Sequence, residues 1–218
     1  QGLVRGGADL IVIETAQDIL EVKAAIFGAR EAFRLESRTL PIQTSVSLLP
    51  NGGKMLLGTD ISAVLATLEA LKVDVIGLNC STGPNDMRDA IQFLGEYAPM
   101  PVHCIPNAGL PQHGRNRETI FPEGPEELAT VLGEFVEEYG VGIVGGCCGT
   151  TVNHIKAIAE RVNGIKPKER PAPRAPHVSS MIAATPLVQS PAPTLVGERV
   201  NSQGSRKAKE LLLADDYD

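Results

Sequence analysis

The stretch GGCCGTT at residues 145–151 decides how the rest of the sequence is interpreted. It follows an apolar run at 141–144 and places two glycines before the adjacent cysteines Cys147 and Cys148. Neighbouring cysteines are poorly suited to a disulfide with each other, because their Cα atoms lie about 3.8 Å apart and the bond needs about 5.5–6 Å. The glycines permit backbone conformations that turn both sulfur atoms toward one point. We therefore expect a chemical site at the carboxyl end of a strand, where α/β folds place their chemistry.

Outward from this stretch, apolar and β-branched runs alternate with helical patterns along the chain. The predicted strands are 8–14, 41–47, 73–79, 101–106 and 141–145. The predicted helices are 19–33, 60–71, 85–97, 125–139 and 151–162. This alternation predicts parallel βαβ units of an α/β fold. Five units fit either an open doubly wound sheet or part of a (β/α)8 barrel, and the lack of a Gly-rich phosphate fingerprint after the first strand weakens nucleotide binding.

Composition excludes several classes of function. The 218 residues carry a net charge of −6 and are 43% hydrophobic. The acidic balance argues against a general nucleic-acid binder. The sequence contains no apolar run of about 18 residues, so we expect no membrane span, and no signal peptide is visible at its start. Four cysteines without a secretory signal suggest metal or catalytic thiols in a cytoplasmic protein.

Three cysteines follow strands that end at the same edge of the predicted sheet. Cys80 comes after the third strand, and Cys147 and Cys148 come after the fifth. Three protein ligands with an open fourth position are typical of a catalytic zinc site, whereas structural zinc is usually closed by four. The alternative is a set of buried thiols near a glycine-rich bend. The spacing alone leaves both interpretations open.

Other cysteine and histidine residues receive structural interpretations. Cys104 lies inside the fourth strand and is predicted to be a buried core thiol, since free cysteine packs as a small hydrophobe. His103 alternates with it and is predicted to face the helix layer. His154 lies one turn into the last helix and is predicted to be a histidine whose hydrogen bonds are satisfied. His113 falls in a polar loop and receives no role.

Polar residues at other strand ends are candidates for binding a ligand. Glu14 ends the first strand, where it is either a ligand contact or a helix-capping or solvated carboxylate. Asn79 and Asn107 would either orient a polar ligand or satisfy backbone groups of the loops. The amides of 149–151, at the start of a helix, are a further candidate for binding a carboxylate.

The composition changes after residue 162. The segment 166–193 contains seven prolines among Ala, Ser and Arg, which is typical of a semi-rigid, extended linker. Beyond it, 195–201 is predicted to form a short strand and turn, and 205–213 a helix. We therefore expect three parts: a domain at 1–163, a linker at 164–194 and the first βα unit of a second domain at 195–218.

Several motifs together resemble the homocysteine-binding family of zinc-dependent homocysteine S-methyltransferases. They are GGCCGT at 145–150, GLNC at 77–80, PNAG at 106–109 and the Glu14-Thr15 strand end. The resemblance covers roughly 1–163. It implies a (β/α)8 barrel of which this sequence holds about strands four to eight, so that three units precede Gln1. It also implies zinc bound by Cys80, Cys147 and Cys148, with homocysteine sulfur as the fourth ligand, and a contact of Glu14 with the substrate ammonium group. We add Asn107 as a second candidate that would position the substrate amino acid.

The tail carries a second resemblance. GERVN at 197–201 and GSRK at 204–207 look like the opening of the pterin-binding domain of cobalamin-dependent methionine synthases. This implies methyl transfer from cobalamin charged by methyltetrahydrofolate, with both modules in the same longer polypeptide. The alternatives are a stand-alone homocysteine S-methyltransferase that uses S-methylmethionine or S-adenosylmethionine, and a non-catalytic zinc-binding fragment. Because an open five-stranded piece exposes its edges, we do not expect these 218 residues alone to be active.

Overall fold

The computed structural model describes residues 1–50, 52–170, 175–188, 190–197 and 201–216. The chain divides into two units, Gln1–Thr185 and Pro186–Asp218. The first unit is an α/β structure built on a parallel sheet. None of the helices in the described parts of the chain combines the length and the apolar character needed to cross a membrane.

Five parallel strands form the sheet, as the sequence predicts. They are β1 (Ile11–Ala16), β2 (Ile42–Val46), β3 (Val75–Asn79), β4 (Val102–Ile105) and β5 (Ile143–Val144). They lie side by side in chain order, β1-β2-β3-β4-β5. A doubly wound sheet reverses its strand order at a switch point, and this sheet has no such reversal. β5 is shorter than predicted and pairs with β4 through only two register positions.

The described residues of the first unit form six helices, and five of them match the predicted helices. They are α1 (Gly2–Arg5), α2 (Ile19–Glu36), α3 (Ile61–Ala70), α4 (Pro84–Tyr97), α5 (Pro125–Tyr139) and α6 (Val152–Val162). Only the single turn of α1 was not predicted. Asp18 caps α2 by accepting a hydrogen bond from the Leu20 N–H at 2.9 Å, and Asp60 caps α3 in the same way. These caps satisfy backbone donors that have no partner within the helix.

The core lies between the sheet and the helices. Its fully buried side chains are mostly aliphatic and come from four helices and three strands: Val22, Ile26, Leu65, Leu68, Met87, Ile91, Leu94, Leu128, Leu132, Phe135, Val46, Ile76, Leu78 and Val102. Burying each large apolar side chain contributes about 1.5–3 kcal/mol. The burial holds the helices on the sheet and fixes which strand ends lie together.

The two faces of β4 differ from the prediction. Cys104 faces the helix layer, where its Sγ lies 3.8 Å from Met87 Sδ of α4. Because successive side chains alternate, His103 points to the opposite face, and its Nε2 lies 3.0 Å from the Thr44 carbonyl oxygen. The prediction that His103 faces the helices is therefore wrong. Gly77 accommodates the imidazole ring, since a Cβ at that position would lie 2.5 Å from His103 Cδ2.

Two short antiparallel hairpins lie in segments predicted to be irregular. One pairs Gln112–His113 with Thr119–Ile120 in the polar loop after β4. The other consists of His177–Ser179 and Ala184–Pro186, within the predicted linker. Its loop contacts the start of α3, where the Asp60 N–H donates to the Ile182 carbonyl oxygen at 2.9 Å. Residues 175–185 of the proline-rich segment are thus part of the first unit.

The second unit contains one helix among its described residues. α7 (Arg206–Leu213) begins after Ser205, whose Oγ accepts a hydrogen bond from the Ala208 N–H. This matches the helix predicted at 205–213. The strand predicted at 195–201 includes Glu198, Arg199 and Val200, which lie outside the described residues, and 195–197 forms no strand.

Candidate metal centre

Three cysteine sulfur atoms converge beyond the carboxyl ends of β3 and β5. Cys80 Sγ lies 3.7 Å from Cys148 Sγ, and Cys147 Sγ lies 4.0 Å from Cys148 Sγ. All three sulfur atoms lie within 4.8 Å of one another. Cys80 and Cys147 are half-buried and Cys148 is exposed. The structure therefore brings together the three residues that the sequence proposed as metal ligands.

The spacing of these sulfur atoms suits a tetrahedral zinc ion. Zinc–thiolate bonds of about 2.3 Å at tetrahedral angles separate two sulfur atoms by about 3.8 Å. The distances of 3.7 Å and 4.0 Å agree with that value. Among the described residues, this trio is the one group of potential ligand atoms that lie close enough to share a metal ion. The donor set therefore offers three ligands and leaves a fourth position for another molecule.

Electrostatics also favour a cation at this position. Hydrogen bonding with Cys80 and partial burial raise the pKa of the Cys148 thiol to about 11. Burial and the neighbouring Cys80 raise the pKa of Cys147 as well. These shifts arise because clustered thiolates repel one another and lose hydration. A divalent cation among the sulfur atoms would reverse both effects and hold the thiols deprotonated.

The turn that carries Cys80 has an unusual backbone. Cys80 and Ser81 have φ angles of 60° and 68°, in the left-handed region that side chains other than glycine seldom adopt. The turn is fixed by hydrogen bonds: the Cys80 N–H donates to the Ile105 carbonyl oxygen at 3.2 Å, and the Asn107 N–H donates to the Thr82 carbonyl oxygen at 3.0 Å. Such strain persists where surrounding contacts enforce it, often at functional sites.

The turn with the paired cysteines is anchored to the segment after β4. The Cys147 N–H donates to the Pro106 carbonyl oxygen at 2.7 Å, and the Ala108 N–H donates to the Cys148 carbonyl oxygen at 2.9 Å. Gly149 leaves the turn with φ +79°, and the Phe121 ring lies where a Cβ would be. The residue after Cys148 must therefore be glycine for two separate reasons.

Asn79 is the most highly connected polar side chain near the cluster. Its Oδ1 accepts hydrogen bonds from the Thr15 N–H at 2.9 Å and from the Ser45 hydroxyl at 2.6 Å. Its Nδ2 donates to Thr15 Oγ1 at 2.8 Å and lies 3.9 Å from Cys147 Sγ. The sequence left open whether Asn79 orients a ligand or satisfies a backbone group. In the structure it satisfies the Thr15 N–H, and it also contacts Cys147, a proposed metal ligand.

The two predicted substrate contacts occupy different environments. Glu14 lies within β1, which continues to Ala16 and so runs past the strand end predicted at Glu14; its side chain is exposed and forms no hydrogen bond or ion pair among the described residues. Asn107 is buried, and its Oδ1 accepts a hydrogen bond from the Cys148 N–H at 3.0 Å. Asn107 thus helps to shape the cysteine turn. A contact of either residue with substrate stays a prediction.

The start of α6 does not present free amides as the sequence suggested. The Thr150 N–H donates to the Cys147 carbonyl oxygen, and the Thr151 N–H donates to His154 Nδ1 at 3.1 Å. His154 Nε2 in turn lies 3.1 Å from the Glu123 carbonyl oxygen, to which it donates. The prediction that His154 has satisfied hydrogen bonds is confirmed, and two of the three amides proposed for a carboxylate already have partners.

Sequence reasoning missed the residues that support the cysteine turns from outside the motifs. Phe121 packs against Gly149, and Ser45 orients the Asn79 amide. Nothing in the loop at 110–124 or in β2 distinguishes these residues by type or spacing. His113 lies exposed on the first hairpin. The prediction that Cys104 is a core thiol is confirmed, because it is fully buried.

Comparison with known proteins agrees with this geometry. The family model for homocysteine S-methyltransferase matches residues 1–162. The methionine synthase of Mycobacterium tuberculosis (strain ATCC 25618 / H37Rv) is 44% identical over 216 residues, and that of Mycobacterium leprae (strain TN) is 43% identical over 221 residues. Each similarity covers 99% of this chain, which spans 18% of the length of either relative. The chain belongs to the homocysteine S-methyltransferase family.

Proposed function

We propose that this chain is the homocysteine-binding part of a methionine synthase and that it supports methyl transfer to the homocysteine sulfur. The observation that carries the proposal is the cluster of Cys80, Cys147 and Cys148, with sulfur atoms spaced for one zinc ion. Its exposed side at the carboxyl edge of the sheet leaves room for a substrate thiol. Membership of the homocysteine S-methyltransferase family supports the identity of that thiol.

The three cysteines would hold zinc, and zinc would keep the homocysteine sulfur deprotonated near neutral pH. Three thiolates and Zn²⁺ give a formal charge of about −1, which leaves a bound sulfur electron-rich. A homocysteine thiolate held beside Cys80, Cys147 and Cys148 would then be able to attack the methyl carbon, forming an S–C bond as the bond from the methyl group to its carrier breaks and leaves its electron pair on the carrier. The contribution of the protein is to hold the ligands at this spacing, through the hydrogen bonds of Asn79 and Asn107.

The amino-acid part of homocysteine would contact the surrounding strand ends. Glu14 is exposed and its carboxylate has no partner within the described part of the chain, so it suits the substrate ammonium group. Asn107 uses Oδ1 for the Cys148 N–H, which leaves its Nδ2 to donate to the substrate carboxylate. These two contacts would set the thiol at the open side of the cluster.

We further propose that the sheet forms strands four to eight of a (β/α)8 barrel. The strictly sequential strand order supports this arrangement. Apolar side chains are exposed at the β1 edge, where Leu10 and Val12 are 43% and 46% accessible, and on α6, where Val152 is 83% accessible. Three further βα units of the same polypeptide would cover these side chains and both sheet edges.

The methyl donor is proposed to be methylcobalamin, recharged from methyltetrahydrofolate by other modules of the same longer polypeptide. The similarity to two methionine synthases continues through nearly the whole chain, past residue 162, where the family match ends. This extension supports domains at 1–163 and 195–218 joined by a linker at 164–194. Four cysteines that form no disulfide suit a reducing compartment, so we place the protein in the cytoplasm.

The test uses the protein as it is expressed from its gene, with homocysteine and one methyl donor at a time. We expect methionine from methylcobalamin, and loss of that product when zinc is removed. Methionine from S-methylmethionine or S-adenosylmethionine alone would instead identify a stand-alone methyltransferase. No methionine from any donor, with zinc bound, would overturn catalysis and indicate a zinc-binding fragment.

The substrate contact of Glu14 is tested separately. The Glu14→Gln variant should bind homocysteine about tenfold more weakly, because it loses a charge-assisted hydrogen bond. Glu21→Gln, at an exposed position of α2, is the matched control and should bind normally. Equal affinity of Glu14→Gln and the native protein would rule out the ammonium contact.

A further inference from the structure

Asn79 occupies a buried position between the cysteine cluster and the end of β1. Its side chain is 1% exposed. Both lone pairs of Oδ1 are occupied, by the Thr15 N–H and the Ser45 hydroxyl. Nδ2 directs one N–H to Thr15 Oγ1, and its other N–H is available to Cys147 Sγ at 3.9 Å. The amide therefore has one orientation that satisfies all of its donors and acceptors.

The contacts with Thr15 fix a strained backbone. Thr15 has φ 56°, a left-handed conformation that is costly for a β-branched residue, by roughly 1–2 kcal/mol. Asn79 accepts from the backbone N–H of Thr15 and donates to its hydroxyl, at 2.9 Å and 2.8 Å. The reciprocal pair holds the chain in this conformation immediately after Glu14. Because Thr15 follows Glu14 directly within β1, the direction of the Glu14 side chain thus depends on the Asn79 amide.

The contact with Cys147 acts on the other side of the same amide. An N–H group directed at sulfur stabilises a thiolate more than a thiol, because it places a positive partial charge beside the negative sulfur. Groups that hydrogen-bond to a metal ligand also fix the direction of that ligand. Neither effect is available from Ser47, whose hydroxyl donates only to the Asn79 main-chain carbonyl oxygen at 2.8 Å.

We propose that Asn79 is a positioning residue that couples the substrate-ammonium contact to the metal ligand Cys147 through one side-chain amide. The proposal rests on the proposed function, because it assumes that Glu14 binds the ammonium group. The coupling itself follows from two bonds of one rigid group, to Thr15 and toward Cys147. Displacing the amide therefore removes the contact with Thr15 and the contact with Cys147 at the same time.

The test compares Asn79→Ser with Ser47→Ala in the protein as expressed from its gene, after circular dichroism has shown that each variant is folded. Three quantities are measured: zinc affinity, the charge-transfer band of the Co²⁺-substituted protein, and the ratio of affinities for homocysteine and 4-mercaptobutanoate, which lacks the ammonium group. Asn79→Ser should weaken zinc binding about 10- to 100-fold and shift the band. It should also reduce the affinity ratio by about tenfold, and Ser47→Ala should leave all three unchanged.

Thr15→Ala provides a second variant that does not depend on replacing Asn79. It removes the hydroxyl that accepts from Nδ2 and leaves Cys147 in contact, so it should reduce the affinity ratio and retain the zinc affinity. Equal weakening of both thiols in Asn79→Ser, or an unchanged Co²⁺ band, would overturn the coupling. If the native protein binds zinc but no homocysteine, the proposed function fails, and the zinc and Co²⁺ results still test the contact with Cys147.

Discussion

Cys104 and the cluster of Cys80, Cys147 and Cys148 belong to the same sheet but have opposite environments. Cys104 lies within β4, faces α4 and is completely buried, and burial raises the pKa of its thiol. The three clustered cysteines lie one to four residues beyond the ends of β3 and β5 and keep some solvent exposure. Cys104 is therefore a packing residue, whereas the other three are available for chemistry.

The difference shows that position relative to a strand end determines what a cysteine does here. Within a strand, the pleat fixes the side-chain direction, so the Cys104 thiol meets only core atoms. Beyond the strand end, left-handed residues such as Cys80 and Ser81 can turn side chains toward a common point. The following predictions test this contrast, beginning with the largest expected effect.

Replacing a clustered cysteine should have the largest effect. Cys148→Ser should weaken zinc binding by roughly 100- to 1,000-fold, because one of three protein ligands is lost. Zinc content after dialysis, measured by mass spectrometry, gives the result. Cys104→Ala is the matched control and should keep stoichiometric zinc. If Cys104→Ala lost zinc and Cys148→Ser kept it, the assignment of Cys148 as a ligand and of Cys104 as a packing residue would be wrong.

Replacing the glycine that follows the paired cysteines should have the next largest effect. Gly149→Ala should lower the free energy of unfolding by about 3 kcal/mol, because φ is +79° and the Phe121 ring fills the space of the Cβ. Chemical denaturation measures it. Gly28→Ala in α2, where a Cβ meets no atom within 4 Å, should instead be neutral or stabilise by up to about 1 kcal/mol. Equal effects of the two variants would contradict the proposed constraint.

His103, the neighbour of Cys104 on the opposite face, should make stability depend on pH. Burial lowers the pKa of His103 to about 4 from 6.5. Between these values the unfolded chain binds more protons, so this contribution is full above pH 6.5 and is lost as the pH falls toward 4. At pH 5 the loss should be about 2 kcal/mol relative to pH 8. The free energy of unfolding of His103→Gln, measured by denaturation at both pH values, should not show this loss of about 2 kcal/mol. If the variant loses as much stability as the native protein between pH 8 and pH 5, other groups cause the pH dependence.

The smallest predicted effect concerns the core thiol itself. Cys104→Ser should lower the free energy of unfolding by about 1–2 kcal/mol, because its hydroxyl would be buried opposite the Met87 sulfur. Thermal or chemical denaturation measures the loss, and zinc binding should not change. A serine variant as stable as the native protein would show that the site admits water.

The regular elements were predictable because their patterns are local. Apolar runs indicated all five strands, and the helices predicted at 19–33, 60–71 and 125–139 are present in the structure. The cysteines were identified because rare residues follow two predicted strands. In both cases, residue type and spacing along the chain carry the information.

Other features depend on contacts between distant segments and could not be predicted in this way. The prediction of which face His103 occupies was wrong because β4 is buried on both faces, and such a strand shows no alternation of polar and apolar residues. The hairpin around Gln112–His113 has strands of only two residues, too short to show an alternating pattern, and the loop of the one around His177–Ser179, at 180–183, contains no Gly, Asn, Asp or Pro. The hydrogen bonds of Asn79 with Thr15 and Cys147 join residues that are 64 and 68 positions apart in the chain. Patterns in the sequence do not show which residues this far apart come into contact.

The most direct test of the central claim is zinc K-edge X-ray absorption on the protein as expressed from its gene, without homocysteine. Three sulfur neighbours at about 2.3 Å are expected, and the count should be the same in Cys104→Ala and fall to two in Cys148→Ser. A sulfur count below three in the native protein, or one unaffected by Cys148→Ser, would contradict a zinc site built from Cys80, Cys147 and Cys148.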